Sequence, residues 1–422
     1  MSEALFPEGP IGTFVAAQVG GGTPSRQNPG YWNGPIPWAS VKDFNEGQIE
    51  LTETDEYITQ QGLASSATNL IPANTPIVCT RMAVGRVAIA PMDVGINQDL
   101  KALFPTTSTD TRYLLRLADY AKPRAEAVSV GSTVKGIKVA DYLNIRVPLA
   151  PPSHQSKIAE ILDTLDTAIR GAEAVVAKLK AMKHGLRHDL LTRGIDANGD
   201  LRLPQPEAPH LYKQTPLGWL PKEWDSVELD QIVDNQRPVV YGILMPGHGY
   251  EGGVPVIKVR DIVGGRILAD QLLLTNPRID FEYRRSRLKG GDLLFTIRGS
   301  VGRMAIVPDD LENANITQDT ARLALKGVDA RFVAAFLETE ITKRFISNHT
   351  IGVAVQGINL RDVRRIPMAK PTEGEDVVIA DKLSEMERKL SLEIAEFDKL
   401  RLQKFGLMDD LLIGRTPVTA LL

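Results

Sequence analysis

The sequence predicts a mixed α/β protein in which two globular domains are separated by two long helices. Three observations support this fold class: an internal duplication, an apolar repeat of helical spacing in each copy, and short β-rich segments ahead of both repeats. A chain of 422 residues is long enough for two or more domains with cores of their own. We expect a first globule over 1–152, a long helix over 153–193, a linker over 194–226, a second globule over 227–372, a second long helix over 373–414 and a tail over 415–422.

Residues 158–191 and 379–412 are copies of one segment. At a constant offset of 221 residues, 12 of 34 positions are identical, whereas composition alone would give about two. The identical pairs include Ile158 with Ile379. The chain therefore carries an internal pseudo-two-fold repeat.

Apolar residues in both copies recur at alternating steps of four and three. A repeat of about 3.5 residues held over several heptads is typical of a helix that supercoils with a partner through one narrow seam. The two seams most simply pair with each other, because each would otherwise expose a long apolar stripe. The residues predicted to pair are Ile158, Leu162, Leu165, Ile169, Val176, Leu179, Leu186, Leu190, Ile379, Leu383, Met386, Leu390, Phe397, Leu400, Leu407 and Leu411.

An alternative remains open for these helices, which could form a helical hairpin that serves only as a core. Lys183 and Lys404 also occupy equivalent seam positions, where a polar residue can set the register of a helix pair. Alternatively, their aliphatic stems pass the seam and carry the charge to solvent.

The segments ahead of the helices repeat more weakly, with an offset that drifts from 217 to 221 residues. The string 81–89 matches 298–306, and the short strings 76–80 and 292–296 are β-rich and bounded by turn residues. We predict strands there and short helices over 112–119 and 331–345. Such drift indicates loops of different length on a shared scaffold.

The net charge of −3 is an average over very different segments. Residues 253–372 contain 19 basic and 13 acidic residues, whereas 1–152 contain 12 and 14. The second globule is therefore basic, and its cluster 284–289 is dense enough to meet a phosphate backbone. A solvated surface face is the alternative interpretation of this cluster.

Basic and amide side chains stand at matched positions of the repeated blocks. Arg pairs with guanine, and Gln or Asn with adenine, in the major groove of DNA. The glycine-flexed loops at Gly131 and Gly352 are therefore suited to reading base edges. Alternatively, the string 298–303 is a tight turn whose arginines cap carboxylates. The predicted DNA-binding residues are Lys42, Arg81, Arg86, Lys135, Lys138, Lys258, Arg260, Arg284, Arg285, Arg287, Arg298, Arg303, Gln356, Asn359 and Arg361.

The sequence motifs of common active sites are missing. The string Asn28-Pro29-Gly30-Tyr31 lacks the second proline that adenine methyltransferases place at an extruded base. Cofactor loops, Walker loops, zinc spacings and nucleophile elbows are also absent from the sequence. We expect a chain that is not an enzyme and holds no metal or cofactor. The single Cys79, the lack of an 18-residue apolar run and an N-terminus unlike a secretory signal favour a cytoplasmic protein that does not enter a membrane.

Several strings make the sequence resemble the DNA specificity subunits of type I restriction-modification systems, over essentially the whole chain. The most specific are the duplicated helix ends 185–191 and 406–412, the string 192–195 and the string 216–224. Further support comes from Gly21-Gly22-Thr23-Pro24 with Tyr31-Trp32-Asn33-Gly34 before Ile36-Pro37-Trp38.

The resemblance implies two target-recognition domains, each of which reads one half of a split sequence in double-stranded DNA. It implies that the long helices pack as an antiparallel coiled coil and fix the unread spacer. Two modification subunits, which bind S-adenosylmethionine and methylate adenine, are the implied partners. Restriction subunits that use ATP and Mg would join them where a system has them. The base-reading residues of this family vary with the target, so the family motifs transfer none to this chain.

Two alternative functions follow from the residues themselves. A coiled-coil scaffold without DNA specificity would use the same seams, but it would not need duplicated globules with basic loops. The chain could also be the specificity component of a methylation-only or a combined nuclease-methyltransferase system.

Overall fold

A computed structural model describes residues 6–131, 134–352 and 355–418. The remaining residues, which include 1–5 of the predicted first globule and 419–422 of the predicted tail, lie outside the described part. The chain forms two compact units: the first combines Met1–Ala174 with Ala395–Leu422, and the second is Val175–Ile394. Both long helices contribute residues to both units.

The first unit is built from short strands and helices. Its helices are α1 (Gln60–Ala64), α2 (Thr111–Val128), α3 (Val139–Leu143) and the first part of α4 (Pro152–Thr192). Its strands are β1 (Glu8–Pro10), β2 (Val15–Gly20), β3 (Trp32–Ala39), β4 (Glu56–Ile58), β5 (Asn69–Ile71), β6 (Pro76–Cys79), β7 (Val87–Ile89), β8 (Val94–Ile96), β9 (Leu100–Pro105) and β10 (Arg146–Pro148).

Two four-stranded sheets organise the first unit. Their strand orders are β2-β9-β6-β7 and β4-β3-β8-β5, and β3 and β8 run parallel. Strand β6 is buried along its whole length, as expected for an apolar run covered on both faces. Helix α2 packs on the sheet β2-β9-β6-β7 through Leu114, Leu117 and Ala121, which share one helical face. Its start is capped by Asp110, whose side chain accepts from Tyr113 N–H at 2.9 Å.

The second unit has the corresponding set of elements. Its helices are α5 (Pro277–Glu282), α6 (Ala330–Leu337), α7 (Glu340–His349), α8 (Leu360–Arg364) and the first part of α9 (Glu375–Leu412). Its strands are β11 (Tyr212–Thr215), β12 (Gly218–Pro221), β13 (Asp225–Glu228), β14 (Val240–Tyr241), β15 (Val254–Ile257), β16 (Ile262–Val263), β17 (Arg266–Ile267), β18 (Leu273–Thr275), β19 (Leu293–Thr296), β20 (Met304–Ile306), β21 (Asn315–Ile316), β22 (Thr320–Leu323) and β23 (Pro367–Lys370).

The sequence duplication extends to sheet topology and register. The order β14-β22-β19-β20 repeats β2-β9-β6-β7, and the parallel pair β15-β21 repeats β3-β8. Ile77 faces Ala102 in the first unit, and Leu294 faces Arg322 in the second. These observations confirm the predicted mixed α/β fold with an internal repeat, and the strands predicted at 76–80 and 292–296.

The helix predicted over 331–345 is instead two helices, α6 and α7. The chain is extended at Thr339, which precedes α7. The Thr342 hydroxyl donates to the Phe336 carbonyl at 2.9 Å. The Thr339 N–H donates to the same carbonyl at 2.9 Å, so a turn at the end of α6 replaces one continuous helix.

The segment predicted as a linker, 194–226, is ordered within the second unit. It carries β11 and β12, and its side chains Ile195, Leu220 and Trp224 belong to the core. Glu375, at the start of α9, ties this segment down. Its carboxylate accepts from Ile195 N–H and Trp224 Nε1 at 2.9 Å each, and from Arg202 at 2.6 Å. These bonds span long sequence distances, which is why no local pattern predicts them.

The long helices α4 and α9 run over 152–192 and 375–412, within two residues of their predicted bounds. Ile158 and Leu411 share a core in the first unit, and Leu190 and Ile379 share a core in the second. In each unit the start of one helix lies with the end of the other, which is the order expected of an antiparallel pair. All sixteen residues predicted to pair are buried or half-buried.

Within the described ranges, no helix has both the length and the apolarity that crossing a bilayer requires.

Candidate nucleic-acid interface

In the first unit, the loop after β6 lies against the loop before α3. Met82 N–H donates to the Lys135 carbonyl at 2.8 Å, and Ile137 N–H donates to the Thr80 carbonyl at 2.9 Å. Met82 has a φ of 65°, a left-handed conformation that turns the chain sharply. The exposed side chains of Arg81 and Lys135 are thereby brought to one loop pair.

The second unit builds the same loop pair from different side chains. Gly299 N–H donates to the Gln356 carbonyl at 2.8 Å, and Ile358 N–H donates to the Ile297 carbonyl at 2.9 Å. Gly299 has a φ of 79°, which glycine adopts without strain. Arg298 and Gln356 are therefore brought together where the first unit has an arginine and a lysine.

Arg81 and Arg298, the first arginines of the two loops, differ in their partners. Arg81 lies 3.2 Å from Asp99 Oδ1, although 56% of its side chain remains exposed. Arg298 is exposed and forms no ion pair within the described ranges. Its guanidinium is the more available of the two for an external acceptor.

The second arginine of each loop is anchored to the protein backbone. Arg86 donates to the Phe44 carbonyl at 2.8 Å and lies 3.3 Å from Glu46. Arg303 donates to the Ile262 carbonyl at 3.5 Å. Both carbonyls follow the same repeated block, so these arginines hold each loop to that block. For Arg303 the acceptor is a carbonyl rather than the carboxylate of the capping alternative.

The block ahead of each loop presents its own cations. Lys42 and Arg260 are exposed on two short turns at equivalent positions, and Lys258 is half-buried. Asp43 accepts from the backbone at the start of the first turn at 2.7 Å, and Asp261 does so in the second at 2.8 Å. The aspartates thus fix the turns that carry these basic side chains.

The remaining predicted loop residues lie at helix starts. Lys138 directly precedes α3, and Asn359 directly precedes α8. Both side chains are exposed, as is Arg361, whose Nε lies 3.2 Å from Asp362 Oδ1. The structure therefore gathers 81, 86, 135 and 138 around one loop pair, and 298, 303, 356, 359 and 361 around the other.

Exposed apolar residues at the same loops were missed by the sequence analysis. Met82 and Val130 are 63% and 72% exposed, and Ile351 and Val355 are 64% and 62% exposed. Such side chains contact thymine methyl groups in major-groove complexes. The available signal for Val130, Ile351 and Val355 was their place near the repeated glycines Gly131 and Gly352.

A separate group of cations lines a cavity of about 250 Å³ in the second unit. Two of its lining residues, Arg237 and Arg322, were not predicted, because they lie outside the repeated motifs. Burial lowers the pKa of Arg322, and the nearby positive charge of Arg237 lowers it further. The predicted residues in this group are Arg284, Arg285 and Arg287.

Metal-binding geometry was not found in the parts of the chain that the structure covers. There, no group of three or more His, Cys, Asp or Glu side chains is arranged to hold an ion.

Comparison with known families identifies one match to both halves of the chain. The family described as type I restriction modification DNA specificity domain matches residues 11–180 and 221–400. The two matched segments cover most of the chain and follow the internal repeat.

Two curated proteins illustrate the similarity. The EcoBI specificity subunit of a type I restriction enzyme of Escherichia coli is 28% identical over 254 residues, which cover 58% of this chain and 52% of that protein. The match therefore spans about half the length of this relative. The MjaVIII specificity subunit of Methanocaldococcus jannaschii is 23% identical over 315 residues, 73% of this chain and 71% of that protein.

Two solved structures share the fold. The S subunit of a type I restriction-modification system from M. genitalium has a TM-score of 0.59 at 14% identity, over 98% of this chain and 97% of that one. A second structure, from work on complex assembly and conformational transition of the type I system, has a TM-score of 0.54 at 15% identity, over 98% and 99% of the two chains.

Proposed function

The chain belongs to the type I restriction-modification DNA specificity family, and we propose on this premise that it selects the DNA target of a type I complex. The observation that carries the proposal is the pair of equivalent surface loops, which present Arg81 and Lys135 in one unit and Arg298 and Gln356 in the other. Different side chains on the same backbone scaffold suit two different half-sites. The family is that of the specificity subunit, which is not itself the enzyme.

Each half-site adds to discrimination. A wrong base pair costs about 1 to 3 kcal/mol in protein–DNA complexes. Two half-sites read by one chain multiply their selectivities, provided that both are met together. We propose that α4 and α9 set the number of unread base pairs between them, because each helix contributes to both units.

The partners follow from the family rather than from a site in this chain. We propose that two modification subunits, which bind S-adenosylmethionine, methylate adenine in the selected DNA. Restriction subunits that use ATP and Mg would complete a cutting complex. The cytoplasm is the proposed location, because it holds the DNA that the complex acts on.

Methylome sequencing of cells that carry this chain with its modification subunit tests the proposal. We expect one bipartite adenine-methylation motif. The double variant R298A/Q356A should lose or relax one half of the motif and keep the other half. K326A, which removes an exposed cation of the same unit away from the loops, should leave the motif unchanged.

Two results would count against the proposal. If R298A/Q356A melts at the wild-type temperature and still loses both half-sites, the loop has a general role and does not read one half-site. A motif that survives intact would remove these residues from the interface. Insertion of one heptad in both α4 and α9 tests the spacer, since an unchanged spacer would contradict its control by the helices.

The scaffold alternative makes a different prediction for DNA binding. A specificity subunit should bind DNA with an affinity that falls steeply with salt, because cations displace counterions from phosphates. A scaffold should show no such binding, alone or with co-purified partners. The family match favours the first outcome.

A further inference from the structure

The cavity lined by basic residues in the second unit has an unbalanced charge. Its lining includes six cationic side chains and no carboxylate. Two of the cations are paired with aspartates: Arg237 lies 2.6 Å from Asp292, and Arg287 contacts Asp280. The other four form no ion pair within the described ranges, and they are Arg284, Arg285, Lys289 and Arg322.

Arg322 is the buried member of this group, with 2% of its surface exposed. Its guanidinium donates to three backbone carbonyls: those of Arg285 at 2.7 Å, Pro238 at 3.0 Å and Arg287 at 3.2 Å. Its Nε has no hydrogen-bond partner in the described structure. Carbonyls orient the guanidinium but do not neutralise it. The negative charges of Asp292 and Asp234 favour the charged form, but burial and the positive charge of Arg237 outweigh them and lower the pKa of Arg322. A buried charge that is only partly balanced is costly. An anion in the cavity would remove that cost.

The first unit shows that the fold does not require an arginine here. Arg322 faces Leu294 across the sheet, and in the equivalent register Ala102 faces Ile77. Ala102 is buried among apolar side chains. The stretch 65–75, which corresponds to the basic cluster, contains no Lys or Arg. The cations therefore belong to the second unit alone and account for much of its positive charge.

We propose that this cavity binds one phosphate group of the DNA backbone beside the half-site of the second unit. Guanidinium groups match phosphate oxygens in a two-pronged geometry. Arg284, Arg285 and Lys289 are exposed, so a phosphate group within a DNA strand can reach them. Arg322 contributes its positive charge from the buried side of the cavity. Phosphate contacts position a protein on DNA without selecting bases. The site therefore contributes affinity and orientation and leaves the motif unchanged. This inference rests on the proposed function.

The test uses the full chain with its co-purified partners, and R284A/R285A as the variant. Both side chains are exposed, so the fold should persist. We expect DNA binding to weaken uniformly across target sequences, with the slope of log affinity against log salt reduced by about one. The methylation motif should stay the same. The matched control K326A/R344A removes two exposed cations outside the cavity and should leave the slope unchanged.

Each other outcome is decisive. If R284A/R285A binds DNA like wild type while R298A/Q356A weakens one half-site, the cavity does not bind DNA and the proposed function stands. If inorganic phosphate raises the melting temperature of the wild type but not of R284A/R285A, and DNA binding is unaffected, the cavity binds a free anion and the DNA assignment is wrong. If wild type with its partners binds no DNA, the proposed function itself fails.

Discussion

Lys404 Nζ lies 2.6 Å from Asp166 Oδ1, and the 221-residue repeat relates this pair to a second one, Lys183 with Glu387. The two seam lysines singled out by the sequence thus each meet a carboxylate of the opposite helix. The pairs differ in burial: the side chains are 17% and 12% exposed in the first unit, and 30% and 65% in the second. We therefore expect the two equivalent ion pairs to contribute unequally to the free energy of unfolding.

Lys404→Met should destabilise the protein by about 1 to 3 kcal/mol, because it leaves the buried Asp166 short of a partner. Arg116 also contacts Asp166 and limits the loss. Lys183→Met should change stability by less than about 1 kcal/mol, as for other exposed pairs. Urea unfolding followed by circular dichroism measures both. Equal losses in the two variants would contradict the difference in burial.

Glu375→Gln should cost about 3 kcal/mol at neutral pH, since Arg202 would lose its counter-charge. Burial alone would raise the pKa of Glu375, but hydrogen bonds from Arg202, Ile195, Thr372 and Trp224 outweigh it and hold the pKa below its usual value. A carboxyl whose pKa is lowered by folding stabilises the fold at pH values above its unfolded-state pKa, which is about 4.3 for Glu.

The advantage of wild type over Glu375→Gln should therefore be constant above about pH 5 and shrink as the pH falls through the folded pKa. Urea unfolding midpoints of wild type and variant, taken between about pH 3 and pH 8, measure this difference in stability. Glu373→Gln, at an exposed neighbour, is the control and should show no such dependence. A pH-independent difference would rule out this role for the carboxylate.

Gly194→Ala should destabilise the protein more than Gly199→Ala. Both glycines have positive φ, 62° and 84°, so each substitution carries a backbone cost of about 1 kcal/mol. A Cβ at Gly194 would also overlap Glu375 and Trp224, whereas Gly199 has open space around it. The overlap should add about 1 to 3 kcal/mol. Thermal unfolding of the two variants compares them directly, and equal melting temperatures would disprove the clash.

Cys79 should resist thiol reagents in the folded protein. Its side chain is fully buried, and burial raises its pKa to about 12. Because the thiolate is the reactive species, native protein near pH 8 should label slowly and denatured protein at once. Labelling along a urea titration then reports the opening of the first unit. Rapid labelling without urea would show that β6 is accessible.

The elements that carry a regular pattern were predictable from the sequence, and long-range polar contacts were not. The apolar repeat placed α4 and α9 within two residues of their observed ends. Nothing local indicated that Glu375 would bind Ile195, 180 positions away, so an ordered segment was taken for a linker.

The candidate site shows the same division. The matched strings around Arg81 and Arg298 predicted two equivalent loops. That Arg86 and Arg303 reach the carbonyls of Phe44 and Ile262 depends on how distant segments fold together. The role of Arg322 could not be predicted, because the surroundings of a strand residue depend on its neighbours across the sheet, which the local sequence does not give.

The first unit is assembled from the beginning and the end of the chain. On the ribosome, Ile158 and Leu162 emerge long before Leu411 and Leu412, with which they share a core. At typical synthesis rates the delay is on the order of tens of seconds. All residues of the second unit are made before Ala395, the first residue of the closing segment. A nascent chain thus contains every residue of the basic second unit before it contains the segment Ala395–Leu422, which the first unit needs for its core.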